Sequence, residues 1–169
     1  KGENSDEDGK GINQEIAEEV FKIGVDVTTS GNHIWDKQET ANYRNKENRL
    51  VRPANLVEGS PGKGVEVYVS KNKKNKVGVI NLMGNVFMRK TEDVFQEAQK
   101  IKKKMILKKN LDFLFVDFHG EITSAKMALR HFFDGYATCV LGTHTPVPTS
   151  DSRILQTCTS YQTDIRMCR

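Results

Sequence analysis

One apolar run limits what this chain can fold into more than any other stretch: L-D-F-L-F-V-D-F-H, residues 111–119. Its length and apolar character are typical of a β-strand. A helical pattern over residues 122–133 follows it, and a second buried strand is predicted over Y-A-T-C-V-L, residues 136–141. Because strands alternate with helices here, the sequence predicts an α/β layered domain.

The rest of the chain follows the same alternation. Residues 12–23 place apolar side chains on one helical stripe, which we expect to end at Gly24. The predicted stripe consists of Ile12, Ile16, Val20 and Ile23. A short strand over 25–29 and a polar helix over 35–45 come next.

A β-hairpin is predicted in the middle of the chain, with strands over 65–69 and 77–82 joined by a turn rich in lysine and asparagine. A helix over 91–109 should turn Val94, Ala98, Ile101 and Met105 inward. One more strand is expected over 159–164. Since no repeat or low-complexity linker interrupts these elements, residues 1–169 are interpreted as a single domain.

Composition restricts the class of protein. Of the 169 residues, 37% are apolar and 28% are charged, which is typical of a soluble globular domain. No apolar run approaches the length of a membrane span, and the first residues lack the pattern of a signal peptide. Cys139, Cys158 and Cys168 are scattered and odd in number, which favours a reducing cytoplasm.

The net charge of +4 comes mainly from two lysine-rich stretches, residues 71–76 and 100–109. They fit a solvated hairpin turn and a solvated helix face. The alternative is a nucleic-acid-binding surface, but no aromatic residues interleave with these lysines. We therefore expect nucleic acid not to be the partner.

Three of the four histidines follow the carboxyl end of a predicted strand: His33, His119 and His144. In open α/β sheets, ligands bind at this edge, so the three side chains form a candidate constellation. Asn32 stands beside His33 and belongs to the same loop. The fourth histidine, His131, is late in a helix and is interpreted as structural.

A divalent metal ion is the natural ligand of such a set. Imidazole, amide and carboxylate donors suit Zn, Mn or Fe, and the absence of cysteine from these motifs argues against a structural zinc site. Glu3 could bridge two cations, with Asn4 beside it. Alternatively, Glu3 and Asn4 belong to an ordinary acidic loop.

Several motifs together resemble a known family. They are G-E-N, S-G-N-H-I-W-D, R-P-A-N, S-P-G-K-G, I-N-L-M-G-N-V-F-M, F-V-D-F-H-G-E and G-T-H-T, in this order along nearly the whole chain. The sequence resembles the bacterial calcineurin-like metallophosphoesterases, in particular the branch of YmdB-like 2′,3′-cyclic-nucleotide 2′-phosphodiesterases.

This resemblance implies a four-layer α/β fold, with two packed mixed β-sheets flanked by helices and a two-metal centre at one sheet edge. It also implies a small cyclic nucleotide or related phosphodiester as the substrate. Glu3 would be the bridging carboxylate, and Asn4 would belong to the first metal. The second metal would be held by Glu3, Asn32, His119 and His144. His33 would protonate the leaving oxygen, and the metals would be Mn or Fe, with Zn also possible.

Two departures from the family pattern concern the first metal. The family begins with a strand whose aspartate binds this ion, and the present sequence starts after that strand. The family's closing His-Thr-His has Pro146 in place of its second histidine, and proline offers no donor atom. We therefore expect a weak first site and impaired activity. The alternative is a non-catalytic regulatory domain that binds a metal ion or a phosphate ligand.

Departures near the end of the sequence, and the lost strand, lead to two further expectations. Arg166 and Arg169 replace glycines of the family pattern, and Cys168 replaces a threonine, so larger side chains stand near the site. Lack of the first strand would leave backbone groups unpaired. We therefore expect marginal stability or association, such as a homo-oligomer.

Overall fold

The structure is a computed structural model, and it describes residues 1–37 and 40–165. Within these residues the chain forms an α/β fold with two β-sheets and helices, as the sequence predicted. The helices are α1 (Gln14–Lys22), α2 (Thr40–Lys46), α3 (Val94–Lys104) and α4 (Thr123–Phe133). Arg166, Cys168 and Arg169, the expected departures near the end, lie outside the described residues.

The larger sheet has six strands in the order β3-β4-β5-β6-β8-β7. Its strands are β3 (Val65–Val69), β4 (Lys76–Met83), β5 (Phe113–His119), β6 (Cys139–Thr143), β7 (Arg153–Ile154) and β8 (Ser160–Gln162). The four inner strands are parallel, while β3 and β7 pair antiparallel at the two edges. Because β4, β5 and β6 are parallel, their carboxyl ends meet at one edge of the sheet.

The smaller sheet consists of two short parallel strands, β1 (Thr28–Thr29) and β2 (Leu50–Val51). The side chain of Asn81, fully buried in β4, joins the two sheets. Its amide donates hydrogen bonds to the carbonyl oxygens of Ser30, at 2.7 Å, and Val51, at 3.1 Å. This link brings the loop after β1 to the carboxyl edge of the larger sheet.

The main core lies between the larger sheet and helices α3 and α4. From β5, Leu114, Val116 and Phe118 point into it, and Phe118 is only 1% exposed. The predicted inward face of α3 is confirmed for Ala98, Ile101 and Met105, while Val94 is half-buried. These contacts make the sheet a rigid base for the loops that follow its strands.

A second, smaller core holds the N-terminal part together. Its buried members are Ile12, Ala17, Phe21 and Leu50. The predicted stripe was wrong at Ile23, which is 82% exposed. Helix α1 ends at Lys22 and the chain turns at Gly24, whose φ of 108° favours glycine. Ile23 is therefore directed away from the core, and Phe21 contributes the packing instead.

Most other elements agree with the sequence prediction. The hairpin of β3 and β4, helices α3 and α4, and strands β5, β6 and β8 are confirmed, with ends that differ by a few residues. Residues 25–27 are not part of a strand, and residues 35–37, where the expected helix over 35–45 would begin, are not helical. Strands β2 and β7 were not predicted, because two residues carry no detectable periodicity.

Candidate metal centre

The centre lies at the carboxyl edge of the larger sheet. His119 is the last residue of β5 and pairs in register with Thr143, the last residue of β6, so His144 comes directly after it. The N-terminal segment reaches the same edge, because the Gly2 amide donates to the Thr29 carbonyl at 2.9 Å. Glu3 therefore lies beside the ends of strands that are more than a hundred residues away in sequence.

Three predicted metal ligands surround the Nε2 atom of the fourth, His119. Glu3 Oε1 lies 2.9 Å from this atom, Asn32 Oδ1 lies 2.6 Å from it, and His144 Nδ1 lies 3.2 Å from it. Ligand atoms of Glu3, His119 and His144 all lie within 4.8 Å of one another. Glu3 is 2% exposed and His119 is fully buried, so solvent is largely excluded.

A chain of hydrogen bonds orients the His119 ring. The Thr143 hydroxyl donates to Asp117 Oδ1 at 2.7 Å and so offers a lone pair to His119 Nδ1, 3.1 Å away. His119 therefore carries its hydrogen on Nδ1, and its Nε2 lone pair points into the cluster. Lys1 Nζ lies 3.3 Å from the other Asp117 oxygen and completes the chain.

His144 is oriented in a similar way. Its Nε2 lies 2.7 Å from Glu121 Oε2, so that nitrogen donates to the carboxylate and Nδ1 turns toward the cluster. The backbone of His144 has a φ of 130°, which is strained for a residue with a Cβ. The next residue is held by Asp164, whose Oδ2 accepts from the Thr145 amide at 3.1 Å and from buried Lys126 at 2.6 Å.

The electrostatic surroundings keep His119 neutral and Glu3 ionised. Burial and the charge of Lys1 lower the pKa of His119 to about 4. Burial raises the pKa of Glu3, but the charge of Lys1 and contacts to His119 outweigh it and hold that pKa at about 2. A neutral imidazole and an ionised carboxylate are the forms that bind metal ions.

The donor set fits a bound cation. The lone pairs of His119 Nε2 and His144 Nδ1 point toward the oxygens of Glu3 and Asn32. Neither of these two nitrogens carries a hydrogen. Glu3 Oε2 and Asn4 Oδ1 are also buried without a hydrogen-bond partner. Because an unsatisfied buried acceptor costs about 1–3 kcal/mol, positive charge at these atoms would be stabilising.

Gly31 is required for this close approach. A Cβ atom at this position would overlap the Glu3 carboxylate and the His119 ring. The loop after β1 can therefore cross the centre only with glycine at this point, which explains the glycine in S-G-N-H-I-W-D in physical terms.

His33 follows Asn32 in the loop beside this cluster, and a residue that is not a member of the cluster orients its ring. His33 Nδ1 lies 2.6 Å from Asp36 Oδ2, and Arg89 donates to the other Asp36 oxygen at 2.6 Å. Burial raises the pKa of Asp36, but the hydrogen bonds to His33 and Arg89 lower it more strongly. With Nδ1 bonded to a carboxylate, Nε2 of His33 remains for a ligand or a proton transfer.

Sequence reasoning missed the residues that support the ligands. Asp36 and Glu121 stand inside the quoted motifs, three residues after His33 and two after His119, so a search for carboxylates near each histidine could have found them. Asp117, two residues before His119, could have been found in the same way, whereas Arg89 and Lys1 carry no such signal because their contacts depend on chain folding. His131 lies exposed on α4 and is not a member of the cluster, as expected.

Comparison with known proteins identifies the class. The chain matches the model of the YmdB-like protein family over residues 1–169, and it belongs to this family. It is 43% identical over 159 residues to the 2′,3′-cyclic-nucleotide 2′-phosphodiesterase of Bacillus subtilis, covering 94% of this chain and 59% of that protein. The chain thus spans about three fifths of this relative's length.

Two crystal structures share the fold. A hypothetical protein from Thermus thermophilus superposes with a TM-score of 0.85 at 36% identity, covering 94% of this chain and 60% of the other. A phosphatase from Mycoplasma pneumoniae superposes with a TM-score of 0.83 at 37% identity, covering 95% and 57%. Among the described residues, every helix is too short or too polar to cross a bilayer.

Proposed function

We propose that this chain is the metal-binding part of a phosphodiesterase that hydrolyses 2′,3′-cyclic nucleotides or related small phosphodiesters. The observation that carries the proposal is the convergence of buried Glu3 and His119 with half-buried His144, whose donor atoms all lie within 4.8 Å of one another. The names of the relatives, a phosphodiesterase and a phosphatase, agree with this chemistry.

The ligands divide between two cation positions. Glu3 Oε1, Asn32, His119 and His144 would hold the second metal, for which mixed nitrogen and oxygen donors suit Mn or Fe, with Zn also possible. The buried, unpaired oxygens Glu3 Oε2 and Asn4 Oδ1 would serve the first. Glu3 is then the bridging carboxylate.

When bound, divalent metals would supply an activated water molecule and would offset charge on the phosphoryl oxygens. As the water oxygen bonds to phosphorus, the bond from phosphorus to the 2′ oxygen would break. The water would release one proton to solvent, and the 2′ oxygen must gain one. His33 is placed to give it from Nε2, because Asp36 Oδ2 engages Nδ1 at 2.6 Å and leaves Nε2 as the remaining ring nitrogen. Arg89 in turn orients Asp36.

A second candidate function is a non-catalytic domain that binds one metal ion or a phosphate ligand. Pro146 favours it, because the chain offers no imidazole at the position where the family pattern has the second histidine of its closing motif. Affinity depends on ligand number, so the first site would be the weaker one. The two candidates differ in turnover and share the second metal site.

The proposed partner is a small molecule, and the proposed compartment is the cytoplasm. Cys139 and Cys158 are free thiols, and Cys158 is exposed, which suits a reducing environment. Association into a homo-oligomer stays a prediction, and the mass of the protein in solution measured by light scattering would test it.

The test combines metal content with hydrolysis of 2′,3′-cyclic AMP in added Mn²⁺, comparing His119→Ala with His131→Ala as the matched control. We expect His119→Ala to lose the bound ion and at least 100-fold in rate, as removal of a buried ligand should. The exposed His131 should be replaceable without effect. Equal loss in both variants, or metal binding that survives His119→Ala, would contradict the proposed site.

Turnover separates the two candidates. A wild-type protein that binds one ion per chain and hydrolyses neither 2′,3′-cyclic AMP nor bis-p-nitrophenyl phosphate would be the non-catalytic domain. Turnover that depends on Mn²⁺ and on His33 would identify the enzyme.

A further inference from the structure

Phe87 combines two unusual properties. The residue is 86% exposed, the largest exposed fraction among the large apolar residues that the structure describes. Its φ is 60°, a left-handed conformation that is strained for a bulky residue. Strain of this kind persists only where the surroundings impose it, and it is concentrated at functional sites and ligand clamps. A flexible loop tip would relax instead.

Three hydrogen-bonded anchors hold the loop formed by residues 84–89, here called the recognition loop, in this strained conformation. At its start, the Gly84 amide donates to the carbonyl of His119 at 2.9 Å. Near its end, the Glu121 amide donates to the Met88 sulfur at 3.3 Å. All of these atoms belong to, or adjoin, residues of the candidate metal centre.

The third anchor is the side chain of Arg89. Its guanidinium donates to Asp36 Oδ1 at 2.6 Å, while Asp36 Oδ2 holds His33. The recognition loop is therefore fastened at one end to the backbone of His119 and at the other to Asp36, the hydrogen-bond partner of His33. Phe87 lies between these two anchors, so its position is tied to the place where a phosphodiester would react.

If the substrate is a nucleotide, an exposed aromatic ring beside the site of phosphate chemistry would bind the planar face of its base. Stacking on aromatic side chains recognises bases through their π-faces and tolerates any base. Val86, which is 49% exposed, adds apolar surface next to the ring. The phosphate would be bound by the metal centre, and the base would lie outside it, over the recognition loop.

We propose that Phe87 is the stacking platform for the base of the substrate, so that the recognition loop selects nucleotides over phosphodiesters without a base. This inference rests on the proposed function and concerns the base, the part of the substrate that the metal centre would not bind. It predicts little discrimination among bases, because the recognition loop offers a ring face to each of them.

The test measures binding as well as turnover, so that it works even where hydrolysis is slow. Binding of adenosine 3′-monophosphate and of glycerol 2-phosphate is measured by calorimetry in Mn²⁺, together with kcat/KM for 2′,3′-cyclic AMP and for glycerol 1,2-cyclic phosphate. We expect Phe87→Ala to weaken binding of the nucleotide roughly 5- to 150-fold, the range of one base–aromatic stack, and to leave the glycerol compounds unchanged.

Two further variants serve as controls. Phe87→Trp should restore nucleotide binding, because it keeps an aromatic face. Ile154→Ala removes another strongly exposed apolar side chain, 74% exposed on β7, four strands from β4 in the sheet order, and should change nothing.

The outcomes distinguish this inference from the proposed function. Wild-type protein that binds the glycerol compounds as tightly as the nucleotides would overturn the inference and leave the metal-centre proposal standing. Equal weakening of both ligand classes by Phe87→Ala would also overturn it, because the residue would then act on the loop as a whole. Wild-type protein that binds neither class would overturn both.

Discussion

The two sides of the candidate centre are built differently. On the side of the proposed second metal, Thr143 and Asp117 orient His119, and Glu121 orients His144, so each imidazole has a hydrogen-bond partner. On the first-metal side, Asn4 Oδ1 and Glu3 Oε2 are buried without a hydrogen-bond partner, and position 146 is proline. One side is therefore preorganised for a cation, and the other presents bare oxygens.

This difference teaches how the two sites should depend on one another. A preorganised site loses little free energy in ordering its ligands, so it can bind an ion on its own. Two oxygens without an imidazole make a weak site, because affinity depends on the number of ligands. Glu3 is the residue that we propose to belong to both sides.

Glu3→Gln should have the largest effect, because it removes the charge shared by both sites. We expect loss of more than 100-fold in metal affinity, measured by calorimetry with Mn²⁺. Glu7→Gln, in the exposed part of the same N-terminal loop, is the matched control. Retention of one tightly bound ion in Glu3→Gln would contradict the bridging role.

Pro146→His should strengthen the weaker side. If position 146 faces the first cation, an added imidazole should raise the metal content toward two ions per chain and increase turnover. Metal analysis after dialysis measures the first effect. Pro148→His, two residues further along the same loop, provides the control, and an equal gain in both variants would argue against the assignment.

Glu121→Ala should have an intermediate effect, because it leaves all ligands in place and removes only the partner of His144 Nε2. Loss of such a supporting carboxylate lowers metal affinity by about 10–100-fold. Glu58→Ala, at another exposed glutamate, should leave it unchanged. Affinity that is insensitive to Glu121→Ala would show that the strained backbone of His144 is enough to orient the ring.

The smallest expected effect is on the stability of the metal-free protein in acid. The pKa of His119 falls from 6.5 to about 4 on folding. As the pH drops, His119 is therefore protonated at a higher pH in the unfolded chain than in the folded one, and stability declines from pH 6.5 to about pH 4. Glu3, lowered from 4.5 to about 2, extends the loss below pH 4.5. Thermal melting should show a fall of roughly 5 °C between pH 7 and pH 5.

The control for the acid effect is His119→Gln, which cannot be protonated and should melt with a flatter pH dependence above pH 4.5. A wild-type melting temperature that is constant or rises between pH 7 and pH 5 would contradict the assignment of a neutral, buried His119.

Strong local patterns made much of the fold predictable. Two patterns identified strands: the apolar run that contains β5, and the alternation of apolar with other residues in β3. Each pattern extends over at least five residues. The two-residue strands β1 and β2 carry too little pattern, so their pairing and the link through Asn81 were not foreseen. Ile23 was misassigned because periodicity alone does not locate the end of a helix.

By itself, the sequence determined which residues could form the centre: histidines that follow strands, with glutamate and asparagine in motifs whose local spacing is visible. Only the tertiary structure decided how they meet. Asn32 and His119 are 87 residues apart and lie 2.6 Å from each other because strand register and the Asn81 link bring two sheet edges together. Tertiary packing also brought Arg89 to Asp36, the local partner of His33, and fastened the loop that exposes Phe87. Periodicity reports the face on which a side chain lies, whereas distances between remote loops depend on how the whole sheet is assembled.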